Sequence, residues 1–152
     1  MADEQVLAGV KVLTLTRIIV GPHSARMLAE HGAEVIEVET AGHPDTVRVV
    51  FPYKDGKPGL NRGGYFSKYN LNKRSVAINL DKPQGREVFM RLVKWADVVI
   101  ESNAPAVMPR LGLTYDELKK VKPDIIMVST NLTGQSGPWQ MFKAYGAQAA
   151  AM

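Results

Sequence analysis

The chain has 152 residues, 45% of them hydrophobic and 22% charged, the length and composition of one globular domain. No apolar run approaches the ~20 residues that cross a bilayer, the opening MADEQVLAGV carries no secretory leader, and zero cysteines exclude disulfide and thiolate chemistry; a cytoplasmic protein without membrane contact is expected. The net charge of +4 comes from scattered basic residues with no aromatic interleaving, which speaks against nucleic acid and leaves either a solvated surface or one that receives a phosphorylated ligand.

The stretch from Leu7 to Thr40 organises the rest. Val12, Leu13 and Leu15 form a short apolar run, as a strand buried on both faces should. Pro22 suits the first position of a helix, Ala25, Leu28 and Ala29 share one helical face, and Gly32 can close the helix with a positive φ. Ala33–Val38 resumes as a strand. Strand, helix and strand with short connections predict a βαβ unit and a parallel sheet.

A segment rich in glycine and proline, Thr40–Tyr69, follows, of a length usually reserved for functional or partner-bound loops. Ser75–Leu80 alternates as a third strand. Asp81 can cap a helix over Lys82–Trp95, with Val88, Leu92 and Trp95 on one face and Phe89 and Val93 beside it. Asp97–Glu101 is predicted as a fourth strand, Ala104–Arg110 as a short helix ended by Gly112, and Thr114–Val121 as a helix opened by a capping box. Ile125–Ser129 reads as a fifth strand, and an alanine-rich helix starts at Phe142. The pattern predicts an α/β fold, a Rossmann-like, doubly wound, mostly parallel sheet. It is expected to be incomplete, because the chain stops in mid-element.

The first strand–helix turn offers Gly21 followed by Pro22, not G-x-G-x-x-G, so a pyrophosphate cradle of the dinucleotide kind is not expected. No nucleophile elbow, zincin motif or P-loop is present. His23, His31 and His43 share no metal-ligand spacing and suit surface or capping roles, so no metal is expected. Glu37 and Glu39 alternate on the second strand and share a face, where strand-edge solvation explains them at least as well as chemistry.

Eight phrases recur in order across nearly the whole chain. They are L-A-G-V-K-V-L at Leu7–Leu13, G-P-H at Gly21–His23, L-A-E-H-G-A-E-V-I-E-V-E at Leu28–Glu39 and N-L-N-K-R-S-V at Asn70–Val76. G-R-E at Gly85–Glu87, A-D-V-V-I-E at Ala96–Glu101, R-L-G-L-T-Y-D-E-L at Arg110–Leu118 and T-G-Q-S-G-P at Thr133–Pro138 complete the set. Together they resemble the family III CoA-transferases (the CaiB/BaiF family, which includes formyl-CoA transferase and α-methylacyl-CoA racemase).

The resemblance implies that residues 1–152 are the N-terminal part of a Rossmann-like large domain, with the remainder of its own polypeptide as a partner. It implies an interlocked homodimer, or a heterodimer with a related subunit. The reaction implied moves coenzyme A between an acyl-CoA and a carboxylic acid, through anhydride and thioester intermediates on an aspartate. That aspartate is expected beyond Met152, so no catalytic residue is assigned within the chain.

Coenzyme A contacts in the family gather at the carboxyl ends of the strands. Carried over, they fall on Ile19 and Val20, on Thr40 where members often have arginine, and on Leu80 and Lys82. The family's E-N-F/Y-x-P-G becomes E-S-N-A-P-A, placing contacts at Ser102, Asn103 and Ala104. Arg110 matches the arginine beside the phosphates, which can offer forked bonds. Lys143, Ala144 and Tyr145 match the segment that reaches the pantetheine. Tyr65 matches an aromatic of the acyl pocket. Tyr145 stands where the racemase has a catalytic histidine, which argues against a racemase-like member. Gly146 replaces a frequent acid. With the altered loop at Ser102–Ala106, it leaves open a non-catalytic, CoA-binding subunit of a heteromeric transferase.

Overall fold

A computed structural model describes residues 5–40, 42–143 and 146–151. Five strands form one sheet: β1 (Lys11–Leu15), β2 (Glu34–Glu39), β3 (Lys73–Ala77), β4 (Val98–Glu101) and β5 (Ile126–Ser129). Their order is β3-β2-β1-β4-β5 and every pair is parallel. Val12 of β1 lies opposite Val35 on one side and Val98 on the other. The chain runs outward from β1 through β2 to β3 and then crosses back to β1's other side as β4, so the order reverses beside β1. In open α/β sheets that reversal makes a crevice beyond the carboxyl ends of the strands.

Side-chain alternation splits the core into two layers. Val12, Val35 and Ile100 meet Ala25 and Ala29 of α1 (Val20–Glu30) on one face. Two alanines let that helix lie close to the sheet. Gly21 brings its first turn closer still: a Cβ there would stand 2.6 Å from the Thr16 methyl. On the other face Leu13, Leu15 and Val99 pack under α3 (Pro83–Trp95), α4 (Val107–Leu111) and α5 (Tyr115–Val121). Among the described residues the remaining α-helices are α2 (Gly64–Tyr69) and α6 (Gly146–Ala150). No described helix is long and apolar enough to cross a membrane.

The parallel α/β sheet agrees with the pattern; several boundaries do not. The first helix begins at Val20, two residues before Pro22, whose missing N–H still falls among the unpaired donors of the first turn. β3 covers Lys73–Ala77 rather than Ser75–Leu80, because Lys73 turns inward to Glu37 and the chain leaves the sheet after the Ile78 N–H bonds Glu39 O. Asp81 does not cap α3: Lys82 takes that position without a side-chain bond, and Pro83 starts the helix. Phe89 and Val93, not Val88, Leu92 and Trp95, are the residues α3 buries fully.

Thr114 does cap α5, its hydroxyl accepting from the Glu117 N–H at 3.4 Å. The short helix before it starts at Val107 instead of Ala104, and Gly112 ends it in the left-handed conformation. Within Thr40–Tyr69 the chain forms two 3-10 turns, Thr46–Arg48 and Lys54–Gly56, and then α2. Arg48 ties this segment down, bonding Glu39, Leu60 O and Asn61 Oδ1 while lying 3.4 Å from the Phe66 ring centre. The last helix starts at Gly146, and Phe142 instead meets Trp139 edge-on at 6.2 Å.

Candidate functional site: a cleft at the strand tips

Two adjoining cavities open at the carboxyl ends of the strands. One, of about 470 Å³, is lined by Arg17, Thr40, His43, Asn79 and Arg110 among others. The second, of about 520 Å³, is lined by Ile18, Pro105, Asn131, Leu132, Phe142 and Lys143 among others. Ser102, Asn103 and Ala104 form a wall common to both. The segment after β4 therefore divides the cleft.

The turn between β1 and α1 runs along this divide. Its three successive N–H groups are each taken by a side chain from elsewhere. Thr16 N–H donates to Glu37 Oε1 at 3.1 Å, Arg17 N–H to Ser102 Oγ at 3.0 Å, and Ile18 N–H to both Asp45 oxygens at 3.0 and 3.2 Å. In dinucleotide-binding turns such donors face a pyrophosphate. Here two carboxylates and a hydroxyl occupy them. Glu39, which stands where a ribose-binding acid would, is held by Arg48 and the Asp45 N–H.

Four ionisable groups behind the turn are shifted by their surroundings. Burial raises Glu37 to about 7, against the pull of Lys73 and the Thr16 N–H. Burial lowers Lys73, against Glu37 at 3.2 Å. Strand-edge solvation is thus not what Glu37 experiences: at 3% exposure it is inside the fold. Burial also pushes Glu39 up, but hydrogen bonds from Arg48 and Asp45 and the charge of Arg48 outweigh it and hold the acid below its usual range. Burial raises Asp45, opposed by the N–H groups of Ile18 and Val47.

Glu101, fully buried at the end of β4, fixes the dividing wall. It accepts from Asn103 N–H at 2.7 Å, from Asn103 Nδ2 at 3.1 Å and from Gln135 Nε2 at 3.1 Å. One acid thereby joins the wall to the loop after β5. The side-chain amide of Asn131 in that loop is buried without a partner among the described residues.

Of the residues expected at a ligand site, Thr40, Leu80, Ser102, Asn103, Ala104 and Arg110 do converge on the first cavity. Lys143 lines the second, with the Ser102–Ala104 wall. Arg110 remains mostly exposed, 3.8 Å from Asp81 Oδ1. Ile19 and Val20 line neither cavity; they sit exposed at the start of α1, and their predecessors Arg17 and Ile18 face the cleft instead. Lys82 precedes α3 outside both. Tyr65 is on α2, its ring parallel to Tyr69 at 6.3 Å and outside both cavities. Ala144 and Tyr145 lie outside the described residues. Sequence reasoning missed Arg17, Asn79, Asp45 and Glu101. The A-D-V-V-I-E phrase, which ends on an acid in an apolar strand, was the one signal for Glu101.

The family model for CoA-transferase family III matches residues 7–152. The chain is 39% identical over 137 residues to an acetyl-CoA:oxalate CoA-transferase of Acetobacter aceti, covering 90% of this chain and 34% of that protein. It is 36% identical over 146 residues to the succinyl-CoA:glutarate CoA-transferase of Homo sapiens, covering 96% and 32%. Among solved structures, a CAIB/BAIF family protein from Brucella suis superposes with a TM-score of 0.83 at 35% identity, over 93% of this chain and 37% of that one. Rv3272 from Mycobacterium tuberculosis superposes with a TM-score of 0.87 at 33% identity, over 97% and 40%. The chain spans about a third of the length of the curated relatives it matches. A match running from Leu7 to Met152 and a shared parallel α/β layer place this chain in CoA-transferase family III.

Proposed function

We propose that this chain is the N-terminal part of the large domain of a CoA-transferase, and that its cleft holds the coenzyme A portion of an acyl-CoA whose CoA passes to a carboxylic acid. The observation that carries the reading is the convergence of Thr40, Leu80, Ser102–Ala104 and Arg110 on one cavity at the switch point of the sheet. Arg110 supplies a fixed positive charge with a planar fork of donors for a phosphate at the mouth. Lys143 supplies a second cation, in the more apolar cavity. The two cavities adjoin along one wall, and the charged head and the long arm of the ligand would lie on its two sides. The aspartate that carries the acyl group belongs to the downstream polypeptide, and the dimer, homomeric or heteromeric, is part of the same proposal. A cytoplasmic location accords with that chemistry.

Calorimetry of the longer polypeptide against CoA, NAD and ATP tests the reading. CoA is expected to bind most tightly, and a preference for NAD rejects it. Arg110→Ala is expected to weaken CoA binding by about 1–3 kcal/mol, the range for a lost hydrogen bond to a charged group. An unchanged Kd at low salt removes Arg110 from the site.

A further inference from the structure

Asp45 lies six residues beyond β2 and is 3% exposed. An acid so far from water needs donors. It has the N–H of Ile18 on both oxygens, at 3.0 and 3.2 Å, and the N–H of Val47 at 3.2 Å from Oδ1. Its own N–H bonds Glu39 Oε2 at 3.2 Å, and Glu39 is gripped in turn by the Arg48 guanidinium. The carboxylate is thus anchored from behind and reaches back to one backbone group 27 positions earlier.

That group belongs to a residue in a conformation it resists. Ile18 has φ +69. A β-branched side chain in the left-handed region is a true outlier, and such outliers persist only where the surroundings over-determine them. Ile18 also stands at the junction of the cleft. Arg17 lines the first cavity and Ile18 the second, while the Arg17 N–H meets Ser102 of the shared wall.

We propose that Asp45 is a positioning residue: its carboxylate holds Ile18 left-handed, so that Arg17 and Ile18 wall opposite halves of the cleft. The proposal rests on reading the cleft as the coenzyme A site.

The test uses the longer polypeptide, CoA as the probe, and the variants Asp45→Ala, Asp45→Asn, Ile18→Gly and Asp45→Ala with Ile18→Gly. Asp45→Ala is expected to weaken CoA binding by about 5- to 30-fold, the factor set by the left-handed penalty it no longer offsets. Asp45→Asn, which keeps one acceptor oxygen, should lose less. Glycine carries no such penalty, so Asp45→Ala is expected to cost several-fold less affinity in the Ile18→Gly background, where the Ile18 wall is already gone, than in the unsubstituted chain. A lower melting temperature with CoA affinity unchanged overturns the proposal, as does an Asp45→Ala cost that is the same with and without Ile18→Gly. Should Asp45→Ala not fold, Asp45→Asn makes the same comparison with and without Ile18→Gly. A crystal structure of the Asp45 variant without ligand decides the geometry separately. Ile18 should relax to negative φ, and an Ile18 still left-handed overturns the proposal. Failure of the functional reading shows elsewhere, as an unsubstituted protein that binds no CoA.

Discussion

Lys73 and Glu37 face each other between β3 and β2 with almost no water around either side chain. Folded Glu37 titrates at about 7 against an ordinary value of 4.5, so between those values the folded chain keeps a proton that the unfolded chain releases. Its contribution to stability is full below the lower value and is lost as pH rises through the upper one. Urea denaturation at a series of pH values should show that decline, and Glu37→Gln should remove it. Lys73→Met should cost about 3–5 kcal/mol at mildly alkaline pH, where it strands a buried carboxylate. The cost should shrink as Glu37 takes up its proton in acid, and a penalty independent of pH would contradict the pairing. Neither residue advertised this. Lys73 reads as an ordinary basic residue before a strand, and its partner is 36 positions away.

At the scale of elements, the rim of the first cavity depends on how closely α3 meets the turn after β3. A Cβ on Gly85 would stand 1.9 Å from the Asn79 carbonyl oxygen. No rotamer relieves a clash with backbone, so Gly85→Ala must push the helix off the turn that carries Asn79, Leu80 and Asp81. The expected loss is about 1–3 kcal/mol of stability, read as a lower melting temperature, together with weaker CoA binding. A variant as stable as the parent would mean that the turn yields freely. The helices themselves were legible from spacing: α3 from its apolar rows and α5 from Thr114 and Glu117. Which row of α3 is buried was not, because that depends on how the helix is rotated against Leu13 and Val99 of the sheet.

For the whole molecule, β5 is the apolar margin of the sheet, β3 at the other end carrying Lys73 and Arg74. It ends the sheet, and its Ile126 and Val128 are 57% and 42% exposed on a strand that has no outer neighbour among the described residues. An apolar strand edge of this kind recruits other strands. The 152-residue chain by itself is therefore expected to melt at low temperature and to associate as concentration rises. Ile126→Lys with Val128→Lys should suppress that association in light scattering. A cooperative, monomeric melt well above room temperature would show that the edge needs no cover.

Periodicity is local, and what depends on local spacing could be read directly. Apolar runs of strand length, a helix between glycines and a cap three residues from its partner specified a parallel α/β layer and its order of elements. The motif phrases pointed to the family and, through Thr40, Leu80, Ser102–Ala104 and Arg110, to much of the cleft. The bonds that shape the cleft join residues far apart in the chain. Asp45 reaches Ile18 across 27 positions, Ser102 reaches Arg17 across 85, and Gln135 reaches Glu101 across 34. Each acid is an ordinary surface residue by composition. Only the closing of the sheet withdraws it from water, and a carboxylate so withdrawn must find donors wherever the fold has brought them.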